Sequence, residues 1–303
     1  MESLFNYAEH IDPNELVNDE RLSTLVITLG AFGDTGHVQR LLNSHALNQL
    51  TNYEVGKFDI DQLHDYTGRR PSVSFDYDHF KDYSTPEMVV HHITDVNGTP
   101  FLLLTGPEPS FRWERLASSI EELNEQLGIK QTVFLQSLPS PTPHTRPTYV
   151  NAFASRPELI TDWSKLAVNV QMPATFTSML SVRLTEAAQD VIGLVAHVPH
   201  YLADIEYPDA TVQLLGALRS LTQIDIPNGE LAKACEMTRE MINSQVAESP
   251  ELQQAIVALE TRYDQGQKPG TLPGGKNLPT ADEIGEEVEA FLRNIGSQGN
   301  DSA

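Results

Sequence analysis

The feature that most constrains the fold is a continuous apolar run at residues 24–29, Thr-Leu-Val-Ile-Thr-Leu. A strand that is apolar at every position is typical of a sheet covered on both faces. Glycines follow it, then a helical apolar pattern through Val38, Leu41 and Leu42, and then a strand pattern at residues 53–58. Strand, turn, helix and strand form a βαβ unit, which favours a sheet with parallel strands.

Strand and helix patterns continue to alternate along the chain. Further strands are predicted at residues 88–94, 101–105, 132–137, 148–154 and 191–197, and helices at residues 112–127, 178–189 and 210–221. Asn97-Gly98 lies between the first two of these strands and favours a tight turn, so those strands are expected to form a hairpin. The proline-rich segment 138–147 is expected to lack regular structure. The sequence therefore predicts an α/β protein with a mixed sheet.

Beyond Pro227 the pattern changes to helices with no strand between them. Two helices are predicted at residues 230–246 and 251–263, with Ser249 as the N-cap and Pro250 at the first position of the second helix. We interpret them as a helical hairpin appended to the α/β core.

A linker and one more helix are predicted after this hairpin. Residues 266–279 hold four Gly and three Pro, a composition typical of a linker. Residues 280–295 begin with a capping box and carry an amphipathic pattern. That helix either docks on another subunit or partner, or packs on its own core or frays. The predicted domains are the α/β core with an N-terminal arm, the helical subdomain, and the linker with its acidic helix, at residues 1–225, 226–265 and 266–303.

The charge balance excludes two classes of partner. The chain has 20 Lys and Arg against 42 Asp and Glu, a net charge of -22. Nucleic acids and anionic membranes are repelled by such a surface, so neither is expected to bind. No basic start with an apolar run marks a secretory signal, so the protein is predicted to be cytoplasmic. The single cysteine, Cys235, can form no intrachain disulfide and is expected to be buried in a helix.

The first candidate site is residues 30–37, which contain Gly33, Asp34 and Thr35. The segment follows the buried strand and opens a helix, where free N–H groups attract anions. Its glycine spacing is that of neither a dinucleotide-binding loop nor a P-loop. The alternative is a strand-to-helix turn capped by Asp34 or Thr35, and the local sequence favours this alternative.

Three other polar segments also follow predicted strands. Glu108 lies between two prolines, where it could act as a rigid acid or base or belong to a stiff turn. His144 and Arg146 share one proline-bounded loop, which could bind an anion or form an interface ridge. His197 and His200 have a spacing compatible with a metal, but no complete zinc ligand set accompanies them. We therefore assign no catalytic residue, metal or cofactor from the sequence.

Taken in order, these segments resemble the proteasome assembly chaperone family in its actinobacterial form. The resemblance is carried by residues 27–38, 105–113, 138–147 and 195–202 and covers roughly residues 20–250. It implies a three-layer α/β/α sandwich with a mixed, mostly parallel sheet, related to the nucleoside phosphorylase and peptidyl-tRNA hydrolase folds. It also implies self-association, and family members with known roles bind proteasome α subunits.

The resemblance favours a non-catalytic assembly or chaperone-like role for a homo-oligomer, with a trimer as the expected state. Another protein complex is the second expected partner. Eukaryotic and archaeal chaperones of this type end in a hydrophobic-Tyr-x tail, whereas this sequence ends Gly-Asn-Asp-Ser-Ala, so tail insertion into a proteasome is not expected.

The alternative is a phosphorylase- or hydrolase-type enzyme, or a sensor, that binds a nucleoside-like or anionic ligand. Because ligands bind at the carboxyl ends of strands in α/β sheets, the polar segments are expected to line one pocket there. The candidate ligand-binding residues are Gly33, Asp34, Thr35, Glu108, His144, Arg146, His197 and His200.

Overall fold

The structure is a computed structural model, which describes residues 4–30, 34–165 and 171–265. The strands in these ranges are β1 (Phe5–Tyr7), β2 (Thr24–Gly30), β3 (Thr51–Phe58), β4 (Ser74–Asp76), β5 (His79–Lys81), β6 (Met88–Thr94), β7 (Pro100–Pro107), β8 (Gln131–Ser140), β9 (Val150–Ala154) and β10 (Asp190–Pro199). The helices are α1 (Pro13–Val17), α2 (Val38–Gln49), α3 (Trp113–Leu127), α4 (Phe176–Glu186), α5 (Pro208–Thr222), α6 (Gly229–Glu248) and α7 (Pro250–Asp264).

Eight of these strands form one mixed sheet in the order β1-β3-β6-β7-β2-β8-β10-β9. The four neighbours β7, β2, β8 and β10 are parallel. Strands β6, β3 and β1 continue the sheet beyond β7 with antiparallel pairings, and β9 is antiparallel to β10 at the other edge. Five strands, β2, β3, β7, β8 and β10, therefore run in the same direction, and the predicted α/β fold with a mixed, mostly parallel sheet is confirmed.

The apolar run in β2 divides its side chains between two cores. Val26 belongs to a first core with Leu42 of α2 and Leu214 of α5, whereas Leu25 belongs to a second core with Ile120 of α3. Each fully buried aliphatic side chain of this kind contributes about 1.5–3 kcal/mol. Helices α2 and α5 thus cover one face of the sheet, and α3 and α4 cover the other, which gives three layers.

Helices α6 and α7 extend the layer formed by α2 and α5. Helix α6 packs on α5, and α7 packs on α6. The predicted cap is present, because the backbone N–H of Leu252 donates to Ser249 Oγ over 3.3 Å and Pro250 occupies the first helical turn. Cys235 is buried on α6, as expected. The predicted linker and helix at residues 266–303 lie outside the described residues, and the division into domains stays a prediction.

The position of β3 differs from the simplest βαβ unit. It runs in the same direction as β2, but β6 and β7 lie between the two strands. The two inserted strands form the hairpin that was predicted around Asn97-Gly98, and Gly98 adopts a φ of 82° in its turn. A local pattern identifies a strand but does not specify its neighbours in the sheet.

Three further elements correct the sequence interpretation. Strand β8 continues through Pro139 to Ser140, inside the segment expected to be irregular. Proline is tolerated there because the β8–β2 ladder ends at Phe134, and among the described residues only an isolated bridge from Ser137 to Asp34 follows on that side. The N-terminal arm contributes β1 to the sheet, and the separate hairpin β4–β5 was not predicted.

Candidate functional site

The four polar segments leave the sheet at one edge. Strands β2, β7, β8 and β10 are parallel neighbours, and their last residues pair as Gly30 with Pro107 and Ser140 with Pro199. The loops that follow them therefore start side by side. The side chains that these loops carry nevertheless point to three separate places.

Asp34 and Thr35 form the turn between β2 and α2. Asp34 Oδ1 accepts a hydrogen bond of 2.5 Å from the backbone N–H of Gln39, in the first turn of α2. Ser137 Oγ donates to the Thr35 carbonyl oxygen over 2.8 Å. Burial raises the pKa of the Asp34 carboxyl above its ordinary value, an effect that outweighs the hydrogen bonds it accepts. Gly33 lies outside the described residues.

A cleft of about 380 Å³ opens beside this turn, between α2 and the ends of β2 and β7. We refer to it as the β2 cleft. Its lining residues are Thr28, Gly30, Asp34, Gln39, Arg40, Asn43, Ser44 and Gly106. Thr28 and Gln39 are buried and form its floor, whereas Arg40 and Ser44 are exposed at its mouth. Of the candidate residues predicted from the sequence and present in the described ranges, only Asp34 lines this cleft.

Glu108 lies on the other side of the sheet. Its Oε1 accepts a hydrogen bond of 2.8 Å from the backbone N–H of Phe176, the first residue of α4. Arg69 Nη2 donates to the Glu108 carbonyl oxygen over 2.5 Å, and the Glu108 N–H donates to the Gly30 carbonyl oxygen over 2.7 Å. The carboxylate satisfies an amide at the positive end of a helix, which is a structural role.

The two histidines after β10 are in different environments. His197 is 2% exposed, and its Nδ1 lies 2.6 Å from Ser140 Oγ. Burial lowers the pKa of His197 to about 4, so its imidazole is neutral at pH 7. Its Nε2 is buried and has no hydrogen-bond partner among the described residues. His200 is exposed, and its Nδ1 lies 3.4 Å from the Ser140 carbonyl oxygen.

His144 holds the loop after β8 against α6. The ring is 6% exposed, with Nδ1 2.7 Å from the Tyr201 hydroxyl and Nε2 3.1 Å from Asn243 Oδ1. The Tyr201 hydroxyl also accepts the backbone N–H of His144 over 2.8 Å. In this arrangement both ring nitrogens have a partner within hydrogen-bond distance.

Arg146 ties the same loop to α7. Its Nε and Nη2 donate to the two carboxylate oxygens of Asp264 over 2.8 and 2.7 Å, and its Nη1 donates to Glu260 Oε1 over 3.1 Å. Thr145 Oγ1 donates to the same Glu260 oxygen over 2.5 Å. Together with the His144 contacts, these bonds form what we call the clamp: His144, Thr145 and Arg146 on the loop, with Asn243, Glu260 and Asp264 on the helices. The cation expected to bind an anionic ligand is bonded to carboxylates of the chain itself.

One shared pocket therefore does not form among the described candidate residues. Asp34 lies in the β2 cleft, Glu108 caps α4, and His144 and Arg146 belong to the clamp. Ligand binding by any of these candidates stays a prediction.

Sequence reasoning missed Gln39, which forms the floor of the β2 cleft. It lies three residues before Leu42, on the buried face of α2, and a polar side chain at such a position is a usable signal.

No group of three His, Cys, Asp or Glu side chains in the described ranges is arranged to hold a metal ion. None of the helices in the described part of the chain is long and apolar enough to cross a membrane.

Comparison with protein families identifies the chain's relatives. A model of the PAC2 family matches residues 28–246. The chain belongs to the PAC2 family. The resemblance to proteasome assembly chaperones is thereby confirmed, and solved PAC2-type structures include a homologue of such a chaperone.

Solved structures with the same fold include proteins of unknown function. The Mycobacterium tuberculosis unknown function protein Rv2714 is 34% identical with a TM-score of 0.82, covering 88% of this chain and 90% of that one. A Corynebacterium glutamicum protein of unknown function is 28% identical with a TM-score of 0.81, covering 88% and 98%. The M. tuberculosis proteasome-assembly chaperone homologue Rv2125 is 21% identical with a TM-score of 0.70, covering 77% and 99%, which shows a shared fold. No curated protein sequence matches the chain significantly.

Proposed function

We propose that this PAC2 protein is a non-catalytic, chaperone-like assembly protein that acts through protein–protein contacts as a cytoplasmic homo-oligomer, with a trimer as the expected state. Membership of the family supports a role in protein interaction. The two buried histidines among the candidate residues bond inside the fold. His144 bonds to Tyr201 and Asn243, and His197 bonds to Ser140, rather than to a carboxylate that would orient a catalytic base.

The observation that carries this proposal is an exposed hairpin of aromatic residues. Strands β4 and β5 form a two-stranded sheet apart from the main sheet. Phe75 and Phe80 pair across it with ring centroids 5.0 Å apart, yet they are 61% and 71% exposed. Tyr77 at its turn is 97% exposed. We refer to residues 73–83 as the aromatic hairpin.

Such a hairpin is more stable when another surface covers it. An isolated two-stranded hairpin is marginally stable in water, and grouped exposed aromatic side chains mark interaction sites. Lys81 pairs with Asp76, and His79 Nδ1 lies 2.8 Å from Asp78 Oδ1, so these polar side chains bond within the hairpin. The contact with another copy of the same chain would therefore rest on the exposed aromatic side chains rather than on charge.

The test is the oligomeric state of a double variant. Sedimentation equilibrium is measured for the full chain and for Phe75→Ser/Phe80→Ser. The matched control is Phe111→Ser, because Phe111 is also a half-exposed phenylalanine. We expect the wild type and the control to form the same oligomer and the hairpin variant to dissociate toward monomer. A monomeric wild type, or an oligomer that the double variant leaves intact, would overturn the proposal.

Partner and location need separate measurements. Capture from a cell lysate with the wild type and the hairpin variant should recover a stable protein complex with the wild type across salt concentrations. Recovery of the chain alone contradicts the assembly role. Fractionation of cells should find the protein in the cytoplasmic fraction, and its recovery elsewhere contradicts that assignment.

A further inference from the structure

The β2 cleft lies at a point where the chain diverges to opposite faces of the sheet. From the carboxyl end of β2, the chain enters α2, whose Leu42 is in the first core. From the carboxyl end of the neighbouring β7, it enters α3, whose Ile120 is in the second core. A crevice between two adjacent parallel strands with this divergence is where α/β sheets bind ligands. Residues of β2, β7 and α2 line the cleft at that crevice.

The floor of the cleft contains a buried acceptor without a partner. Gln39 is 2% exposed, and its Nε2 donates to the Leu135 carbonyl oxygen over 2.7 Å, which fixes the orientation of the amide. Its Oε1 is buried and has no hydrogen-bond partner among the described residues. A buried amide oxygen left in this way destabilises the fold, and a bound donor would remove that destabilisation.

A second acceptor faces the same space. A methyl group placed on Gly30 would lie 3.2 Å from Gln39 Oε1 and 3.9 Å from Asp34 Oδ2. The two oxygens therefore approach the open side of Gly30, which has no side chain to fill it. Asp34 Oδ1 is already used by the Gln39 N–H, so Oδ2 is the oxygen directed at this recess.

The remaining polar groups of the cleft do not favour an anion. Arg40, at the mouth, bonds to Glu206 over 2.8 Å. Thr28 Oγ1 donates to Asn43 Oδ1 over 2.7 Å, so these two groups satisfy each other. The recess thus presents one carboxylate oxygen and one unpartnered amide oxygen, and both can accept a hydrogen bond.

We propose that the β2 cleft binds a small molecule through N–H donors, a primary ammonium or a carboxamide, which bond to Gln39 Oε1 and Asp34 Oδ2. The cleft volume of about 380 Å³ is near the lower end of ligand pockets, so the ligand is small. This binding is independent of the aromatic hairpin and of oligomer formation.

The test uses glycinamide, which carries an ammonium and a carboxamide, as the probe. Isothermal titration at pH 7 with the full chain is compared with titrations of sodium acetate and inorganic phosphate, which offer no N–H donors. We expect saturable binding of glycinamide and none of either anion. Binding of phosphate in place of glycinamide, or the absence of glycinamide binding, would overturn the proposal.

Two variants locate the binding in the cleft. Gly30→Ala fills the recess with a methyl group, and Asp34→Asn removes the charge while it keeps the shape. Their controls are Gly216→Ala, where an added methyl group meets nothing within 4 Å, and Asp204→Asn, an exposed carboxyl at the same edge. We expect at least about a tenfold weaker affinity in both cleft variants, equal to about 1.4 kcal/mol, and unchanged affinity in both controls.

The variants also separate folding from binding. Because the Gly30 methyl group would come within 3.2 Å of Gln39 Oε1, thermal melting without glycinamide is recorded for every variant. If Gly30→Ala does not fold, the affinity of Asp34→Asn alone decides whether glycinamide binds in the β2 cleft. Wild-type affinity in a folded Asp34→Asn protein contradicts the assignment of the ligand to this cleft.

Discussion

The clamp and the β2 cleft lie at the same edge of one sheet, and both were recognised in the sequence as polar residues after a strand. In the clamp, the Arg146 guanidinium bonds to Glu260 and Asp264, and the His144 ring is bonded at both nitrogens. In the cleft, Gln39 Oε1 has no partner within the described part of the chain. A polar segment at a strand end can therefore be satisfied by the chain or can leave a polar atom without a partner, and the residues available elsewhere in the chain decide which.

The two regions also differ in the direction of their carboxyl pKa values. The Arg146 guanidinium lowers the pKa of Asp264, because it stabilises the ionised form. Burial raises the pKa of Asp34, because it penalises the ionised form. The clamp thus stabilises the ionised form of its carboxylate, whereas burial in the cleft destabilises the ionised form of Asp34. The following predictions test this difference, from the largest expected effect to the smallest.

The largest effect is expected from His144→Ala in the clamp. The substitution leaves Asn243 and the Tyr201 hydroxyl without their bonds to a buried ring. We expect the free energy of unfolding to fall by about 2–3 kcal/mol, measured by urea denaturation. His200→Ala is the control, because His200 is exposed, and its loss should stay below about 0.5 kcal/mol. An equal decrease in the free energy of unfolding of the two variants would show that the His144 contacts do not stabilise the fold.

A more local effect is expected from Arg146→Met. The variant keeps the apolar stem but leaves the Asp264 and Glu260 carboxylates without their shared cation. Hydrogen exchange of the α7 amides should become faster, while exchange in α2 and α3 stays unchanged. Arg183→Met is the matched control, because Arg183 forms the same bidentate bond with Glu114 on the other face of the sheet. Unchanged exchange in α7 contradicts the role of the clamp.

The central strands were predictable because their patterns depend only on burial. Strands β2 and β10 are covered on both faces, so their sequences are apolar at nearly every position. The order of the strands was not predictable, since β3 is separated from β2 by a hairpin that pairs through tertiary contacts. The hairpin β4–β5 was missed because its aromatic side chains face solvent rather than a core.

The candidate site was predictable only as far as local sequence extends. Asp34 was placed at a strand end and is found in the cleft there. The partners of Arg146 could not be inferred, because Glu260 and Asp264 lie more than a hundred residues away on the appended helices. Whether a polar side chain is satisfied depends on such distant residues, so the distinction between clamp and cleft requires the structure.

The pH dependence of Asp264→Asn follows from the sign of its pKa shift. A carboxyl with a lowered folded pKa stabilises the fold above its unfolded pKa of about 3.9 and loses that contribution as the pH falls through the folded value. Asp264→Asn should therefore be less stable than the wild type at pH 7, and the difference should be smaller at an acid pH below the unfolded pKa. Thermal melting at both pH values checks this. A deficit that persists unchanged at acid pH would indicate a loss of packing instead of charge.

Asp34→Asn should give the smallest effect, and it should have the opposite sign. Since the folded pKa of Asp34 is raised, its ionised form costs stability at neutral pH, and the cost disappears as the pH falls through that value. Asparagine keeps an oxygen that can accept the Gln39 N–H. Without ligand, the variant should melt slightly above the wild type at pH 7, and the two should converge at acid pH. A variant that melts below the wild type at pH 7, as expected for Asp264→Asn, would mean that the cleft carboxylate is stabilised by its surroundings in the same way as the clamp.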